Sequence, residues 1–315
     1  MTDKRKLGID LGGSKIEAAL LDVDGAVIER IRVATPQNDY QATLNSIASL
    51  LEQLDKKHSS ESLPLGIGSP GSPSTRDNLM KNCNSTCLNG QPLKSDLESL
   101  LQRPVRLAND ADCFALAEAC YGAAKGANSV FGVILGTGVG GGIVINQKLL
   151  QGPSHIAGEW GHNPLALGAL VDSENLKLDQ LSHYQNKRVC YCGRHNCVES
   201  WLSGPALSQS DWELNKPASL RNAASIAQAA AEGEAKAQQT MKHYVEMLAL
   251  ALANVINILD PEVIVLGGGL SNIDQLYEDL PTALQRYVFS DELLCRTVAA
   301  KQGDSAGVIG AAQLW

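Results

Sequence analysis

The stretch Leu7-Gly8-Ile9-Asp10-Leu11-Gly12-Gly13-Ser14-Lys15 decides how this chain is built. Leu7 to Asp10 reads as a short strand ending on a carboxylate, and Leu11 to Lys15 as a turn with two adjacent glycines. Ile16 to Leu21 is a second strand, Asp22-Val23-Asp24-Gly25 a hairpin turn and Ala26 to Val33 a third strand, which completes a β-meander. The same order begins again with Ser129 to Leu135 as strand and Gly136-Thr137-Gly138-Val139-Gly140-Gly141-Gly142 as turn. Ile143-Val144-Ile145-Asn146 is then strand, and Leu149-Leu150-Gln151 is the third strand. Two such halves, offset by about 125 residues, indicate an internal duplication far longer than a solenoid repeat. They predict two α/β domains facing each other across a cleft, the usual place for a small ligand.

Working outward, Tyr40 to Lys57 carries Leu44, Ile47, Leu51 and Leu54 at helical spacing. Leu65-Gly66-Ile67-Gly68 is a strand stopped by Pro70-Gly71, Leu93 to Leu101 a helix and Val105 to Ala108 a strand. Asn109-Asp110 follows that strand and precedes a helix rich in small residues, so a second carboxylate stands at a strand end. Flanked along the chain by two glycine turns, Asp110 is the candidate general base, with Asp112 as a rival that better serves the helix N-terminus. In the second half, Gln238 to Leu259 puts Met241, Val245, Leu248, Leu252, Val255 and Leu259 on one helix face, and Asp260-Pro261 stops it. Val263 to Leu266 is a buried strand ending in Gly267-Gly268-Gly269, and helices are expected over Ile273 to Tyr287 and Ala306 to Leu314.

Neither glycine turn is a standard nucleotide fingerprint. Gly136-x-Gly138-x-x-Gly141 has the dinucleotide spacing, but β-branched Ile143-Val144-Ile145 follows where a helix is required. Gly8 to Lys15 misses the P-loop because Ser14-Lys15 are in the wrong order and a strand follows. A lone glycine turn is more often a tight hairpin, but two at matching positions of a duplicated unit point to phosphate cradles of backbone N–H groups. Asp10, beside the first turn, is then a candidate to hold Mg²⁺ directly or through water.

Cys190-x-Cys192-x4-Cys197 places three thiols within eight residues, a span that can wrap a tetrahedral ion. The fourth ligand is His195, inside the cluster, or His162, which lies 28 residues before Cys190; spacing does not choose between them. Glu159 and Glu199 flank the cluster and are candidates to bind polyol hydroxyls. Trp160 and Trp201 read as packing residues, and Cys83, Cys87, Cys113, Cys120 and Cys295 as scattered small side chains.

Composition narrows the function. The net charge of −8 offers no basic field for a nucleic-acid backbone. Met1 to Lys6 contains no apolar signal segment, and Met247 to Leu259 is too short to span a bilayer, so a soluble cytoplasmic protein without membrane partners is expected.

Asp10 to Lys15, Asn109-Asp110-Ala111, Leu135 to Gly142, Gly158-Glu159-Trp160-Gly161-His162 and Cys190-x-Cys192-Gly193-x3-Cys197-x-Glu199 together resemble the ROK family of sugar kinases. The likeness runs from about residue 7 to Trp315 and takes in Val263 to Gly269 and Gly303 to Gly307. Asn82 to Gly90 and Trp160 to Leu165 look most like bacterial fructokinase or mannokinase members. The resemblance implies a duplicated actin/hexokinase-like (ribonuclease H-like) α/β fold. It places a small domain over 1–118 plus 304–315 and a large domain, with a zinc-binding insertion, over 119–303.

It also implies transfer of a phosphoryl group from ATP, with Mg²⁺, to the 6-hydroxyl of fructose or mannose. N-acetylglucosamine, N-acetylmannosamine or glucose is the alternative substrate. Asp110 would be the base, and Asn84, Asn109, Glu159, His162 and Glu199 would contact the sugar. Asp10, Gly12, Gly13, Ser14, Lys15, Gly136, Thr137, Gly138, Gly140, Gly141, Gly142, Gly267, Gly268 and Gly269 would serve the nucleotide. The family pattern selects His162 over His195 to complete a structural zinc site with Cys190, Cys192 and Cys197, and implies a homodimer. Two residues depart from the pattern: Asp112 stands where Asn is frequent, and Cys87 where related fructokinases often have Trp, a change that loosens the sugar pocket. A sugar-responsive repressor of the same family would need a DNA-binding segment, for which a first motif at residue 8 leaves no room.

Overall fold

The computed structural model describes residues 4–171 and 187–315. Its strands, in chain order, are β1 Lys6–Leu11, β2 Lys15–Leu21, β3 Val27–Ala34, β4 Leu65–Ser69, β5 Ser72–Pro73 and β6 Met80–Lys81. There follow β7 Val105–Asn109, β8 Ser129–Leu135, β9 Val139–Ile145, β10 Lys148–Leu149, β11 Val263–Gly267 and β12 Arg296–Ala299. One five-stranded sheet runs β3-β2-β1-β4-β7 and the other β10-β9-β8-β11-β12. Each is thus an antiparallel meander extended by two further strands. β4 and β7 continue β1 in parallel, as β11 and β12 continue β8. The duplication is present in the topology, and the α/β fold is the expected one.

The chain forms two compact units. The first comprises Met1–Asn128, Gly142–Gly158 and Lys301–Trp315, the second Ser129–Gly141 and Glu159–Ala300. In the first, Asp39 caps the helix Tyr40–His58 by accepting from Ala42 N–H at 2.9 Å, and Leu44, Ile47, Leu51 and Leu54 are buried from it. They belong to the same core as Ile9, Leu20 and Ile67 of the sheet.

The helices Asp110–Cys120 and Ala306–Ala312 meet backbone to backbone. A Cβ on Gly310 would lie 1.7 Å from the Cys113 carbonyl oxygen, and one on Gly66 1.8 Å from that of Ala311. Small residues here draw two helices onto the sheet at a distance no methyl group allows. Fully buried Glu118 accepts the backbone N–H groups of Ala123, Lys301 and Gln302 at 2.7, 2.9 and 2.7 Å, fixing the far end of the first of these helices.

In the second unit the helix Ala235–Leu259 buries Met241, Val245, Leu248 and Leu252, and β11 is buried along its whole length. Asp260 ends the helix in the left-handed conformation, φ 46°, ahead of Pro261.

Several boundaries differ from the sequence reading. The second glycine turn spans only Gly136 to Gly138, because β9 begins at Val139; Gly140, Gly141 and Gly142 lie within the strand. Gly142 serves packing: a Cβ there would meet the Ala111 carbonyl oxygen at 2.8 Å and the Ala115 methyl at 2.9 Å. Asn146 and Gln147, both at positive φ, make a two-residue turn, so the third strand of that meander is Lys148–Leu149 rather than Leu149 to Gln151.

The helix expected over Ile273 to Tyr287 shortens to Gln275–Leu284 behind a 3₁₀ turn, Gly269–Asn272. The long helix starts at Ala235 rather than Gln238, and the last one ends at Ala312 rather than Leu314. Of the polar stretch Asp172 to Arg188, residues 172–186 lie outside the described residues.

Candidate active site

In the first unit the site is built on the ends of parallel strands. Register pairs Asp10 with Gly68 and Ser69 with Asn109, so β1 and β7 deliver Asp10 and Asn109-Asp110 to one sheet edge. Gly307, at the start of the last helix, adjoins Asp10; a Cβ there would fall 2.7 Å from Asp10 Oδ2. Burial pushes the Asp10 carboxyl up to about 6, helped by the negative charges of Asp110 and Glu17 and opposed by Lys15 and Arg32. Glu17 is itself fully buried and ion-paired with Arg32.

Asn109 caps the helix Asp110–Cys120, its Oδ1 accepting from Ala111 N–H at 2.9 Å. Asp110 Oδ1 accepts from the same N–H at 2.8 Å. Asp110 is open to solvent, yet the surrounding protein raises its pKa by desolvation against that lowering hydrogen bond.

The first glycine turn is held from behind. Gly12 N–H donates to the Lys15 carbonyl at 3.0 Å, the Thr35 hydroxyl to the Gly12 carbonyl at 2.7 Å and Gln37 Nε2 to the Gly13 carbonyl at 3.0 Å. Gly13 and Ser14 stay exposed at the tip, and Lys15 is half-buried. Beside the turn runs the loop of exposed Asn84; a Cβ on Gly13 would lie 3.4 Å from Ser85 Oγ.

In the second unit three features converge on the start of β9. Glu199 Oε2 accepts Val139 N–H at 3.0 Å and would lie 2.7 Å from a Cβ on Gly138. Trp160 Nε1 donates to the Gly140 carbonyl at 2.9 Å, and Gly161 abuts the Val139 carbonyl, where a Cβ would come within 2.1 Å. These contacts seat the turn Glu159-Trp160-Gly161-His162 and the helix Glu199–Leu202 on the same strand. Trp160 and Trp201 are buried, as expected of packing residues.

A cavity of about 1560 Å³ opens in this unit between Gly136-Thr137, Asn222 and Gly269. Gly268, at φ 82°, packs so closely on Leu135 that a Cβ would meet its carbonyl oxygen at 2.5 Å, so that turn admits no side chain.

His162 and the three cysteines come together. One ligand atom from each of His162, Cys190, Cys192 and Cys197 lies within 4.8 Å of the other three. His162 Nδ1 is 3.6 Å from Cys190 Sγ, and Cys192 Sγ is 3.6 Å from Cys197 Sγ. Bonds of about 2.3 Å to a tetrahedral zinc give sulfur-to-sulfur edges of about 3.8 Å, so the donor set fits such an ion. Burial raises the Cys190 and Cys197 thiols, while a hydrogen bond from Arg194 lowers Cys192. His195 is exposed and outside the group.

Sequence reasoning passed over Tyr191, whose hydroxyl is 2.9 Å from His162 Nε2 with the rings edge to face. Its place between two of the clustered cysteines was the available signal. With Nδ1 turned to the thiols, Nε2 is the ring nitrogen left for a hydroxyl partner.

The profile of the ROK family matches residues 6–315. The chain belongs to the ROK family of sugar kinases. It is 40% identical over 310 residues to the N-acetyl-D-glucosamine kinase of Vibrio atlanticus, covering 98% of each chain. Among solved structures, the ROK hexokinase of Thermus thermophilus superposes with a TM-score of 0.83 at 28% identity, over 98% of this chain and 97% of that one. A ROK family glucokinase from Streptomyces griseus, determined with glucose and AMPPNP, gives 0.72 at 26% identity over 98% of each. The fold is therefore actin/hexokinase-like, and the protein is a ROK sugar kinase. The fructose or mannose specificity expected from the sequence finds no support among these ROK relatives; the amino-sugar alternative does. Among the described residues, no helix is long and apolar enough to cross a membrane.

Proposed function

We propose that this protein is an ATP-dependent N-acetyl-D-glucosamine kinase that phosphorylates the 6-hydroxyl of the sugar. The observation that carries the substrate is the 40% identity, across 98% of both chains, to a relative bearing that name. The chemistry rests on the residues at the strand ends. Phosphoryl transfer demands positioning and neutralisation of charge more than covalent help from the protein.

Asp110 accepts the hydroxyl proton as the sugar oxygen attacks, and its raised pKa makes it a better base than an ordinary aspartate. Asn109, Asn84, Glu159, Glu199 and Nε2 of His162 hold the sugar. The N–H groups of Gly13 and Ser14 and of Thr137 and Gly138, at the tips of the two turns, donate to phosphate oxygens, and Gly267-Gly268-Gly269 borders the nucleotide. The second-unit cavity is roomy enough for a nucleoside. Bound Mg²⁺ would supply positive charge to the phosphates, and Asp10 would hold it directly or through water.

His162, Cys190, Cys192 and Cys197 hold a structural zinc ion that ties the Glu159 turn to the Glu199 helix. The working protein is a homodimer that binds neither nucleic acid nor membrane and acts in the cytoplasm. The deciding experiment is a coupled ADP-release assay over N-acetylglucosamine, N-acetylmannosamine, glucose, mannose and fructose. The highest kcat/KM is expected for N-acetylglucosamine; a preference for fructose or mannose would overturn the assignment.

A further inference from the structure

His162 Nε2, the atom given above to a sugar hydroxyl, already has a partner. The Tyr191 hydroxyl lies 2.9 Å from it, with the two rings edge to face and their centroids 5.1 Å apart. An imidazole nitrogen makes one in-plane hydrogen bond, as donor or as acceptor according to its protonation. His162 Nδ1 is turned to the thiols, 3.6 Å from Cys190 Sγ, so Nε2 offers the ring's one remaining bond. Two hydroxyls cannot both have it. Tyr191 and a sugar held by His162 therefore compete for the same atom.

Tyr191 is placed to yield. Its hydroxyl makes no other hydrogen bond among the described residues, and the residue is 78% exposed. Rotamer flips of such side chains take picoseconds to nanoseconds. The backbone around it is held: Cys190 N–H donates to the Arg194 carbonyl and Gly193 N–H to the Cys190 carbonyl, both at 2.9 Å. The motion left to Tyr191 is that of its side chain. Its hydroxyl also lies among the groups assigned to the sugar. Burial, and then the charges of Glu199 and Glu159, push its pKa up to about 12.

Resting on the sugar-site reading above, we propose that Tyr191 is a displaceable stand-in for a substrate hydroxyl. Its phenol holds His162 Nε2 when no sugar is bound and swings into solvent as the sugar takes that bond. The phenol keeps the imidazole oriented for its substrate, and each binding event costs one hydrogen bond that must first be broken.

The test is Tyr191→Phe, which keeps the ring and its edge-to-face contact and removes the hydroxyl. Titration calorimetry with the best substrate among the five sugars named above should give a Kd lower by roughly 2–10-fold, the net worth of one hydrogen bond. kcat/KM should rise by the same factor, because the gain is shared by ground and transition states. Tyr191→Ala should gain as much as Tyr191→Phe. A Kd that is unchanged or higher in Tyr191→Phe, or a gain confined to Tyr191→Ala, overturns the proposal. A crystal structure of the wild type with that sugar bound gives a readout free of any variant: the Tyr191 hydroxyl should lie beyond hydrogen-bond reach of His162 Nε2, and an intact contact overturns the proposal. Sugar binding that is normal but indifferent to the Tyr191 hydroxyl defeats this inference alone. A wild type that binds none of the five sugars defeats the kinase reading and this inference together.

Discussion

Asp10→Asn should make the protein more stable and nearly inactive. The Asp10 carboxyl is pushed up to about 6 from an ordinary 3.8, chiefly by burial and then by Asp110 and Glu17. About two pKa units at 1.36 kcal/mol each give ~3 kcal/mol as an upper bound on what its ionisation costs the fold. Partial solvent access screens part of this, leaving ~1–3 kcal/mol.

The sign follows from linkage. A carboxyl with a raised folded-state pKa binds its proton more tightly in the fold, so its stabilisation is complete below the unfolded value of 3.8 and is lost as pH rises through about 6. Asn carries no charge at any pH, and Asp10 has no hydrogen bond among the described residues for the substitution to break. The variant should therefore gain ~1–3 kcal/mol at pH 8, or about 2–8 °C in Tm, and the gain should roughly halve by pH 5. Circular-dichroism melts of metal-free wild type and variant at the two pH values, at one scan rate, measure it. Turnover at pH 8 should fall at least ~100-fold if Asp10 serves the metal–nucleotide complex. An equal or lower Tm at pH 8, or a gain that does not change with pH, refutes the electrostatic reasoning.

Asp110→Asn should lower kcat by ~10²–10⁴ while sugar binding, followed calorimetrically, stays within about threefold. Near-normal turnover would remove Asp110 from the chemistry. Because desolvation raises the Asp110 pKa, the acid limb of the wild-type kcat/KM profile should lie above the ordinary carboxylate range; a limb at or below pH 4 contradicts this. Metal analysis of protein purified without chelator should find one zinc per chain, abolished in Cys197→Ser; metal-free wild type would eliminate the site. Gly138→Ala should raise the KM for sugar by roughly tenfold with a small effect on Tm, because its methyl would displace Glu199 Oε2, which lies 2.7 Å from that position. An unchanged KM would show that Glu199 does not hold the sugar.

The frame of this protein was legible because its signals are local. Strand alternation broken by Gly12-Gly13 and by Gly136 to Gly138 defines two hairpins, and a strand followed directly by Asn109-Asp110 defines a helix cap. Three cysteines in eight residues bring a metal-like cluster together with little help from the rest of the fold.

What escaped the sequence depends on contacts between distant segments. Gly142 looks like a turn glycine, and only the helix Asp110–Cys120 pressed against it shows that it sits in a strand. Gly307 adjoins Asp10 from the far end of the chain, and no local pattern announces it. The sugar preference could not be read locally for the same reason. An acetamido group and a hydroxyl differ by the room beside the ring, and no local pattern in the chain measures that room.

The duplicated scaffold has divided its chemistry by charge. The strand ends of the first sheet carry Asp10 and Asp110, with Glu17 buried behind them. At the matching positions of the second sheet, β8 runs into Gly136-Thr137-Gly138 and β11 into Gly267-Gly268-Gly269, with no carboxylate in either strand. Bare carboxylates repel phosphate oxygens, so under the function proposed above the glycine turns' backbone N–H groups would take the triphosphate, and the acids the cation and the exchangeable proton. An aspartate at the first strand end of the second sheet would set a negative charge beside its glycine turns. Had neither half kept an aspartate, no base would be available. Ile134, the last β8 residue paired with β11 as Asp10 is the last β1 residue paired with β4, stands where the first half has Asp10, as that division requires. An Ile134→Asp variant should lose nucleotide affinity, measured by titration with an ATP analogue, by more than a neutral Ile134→Asn of similar shape. Equal losses from the two would show that packing, and not charge, keeps this position apolar.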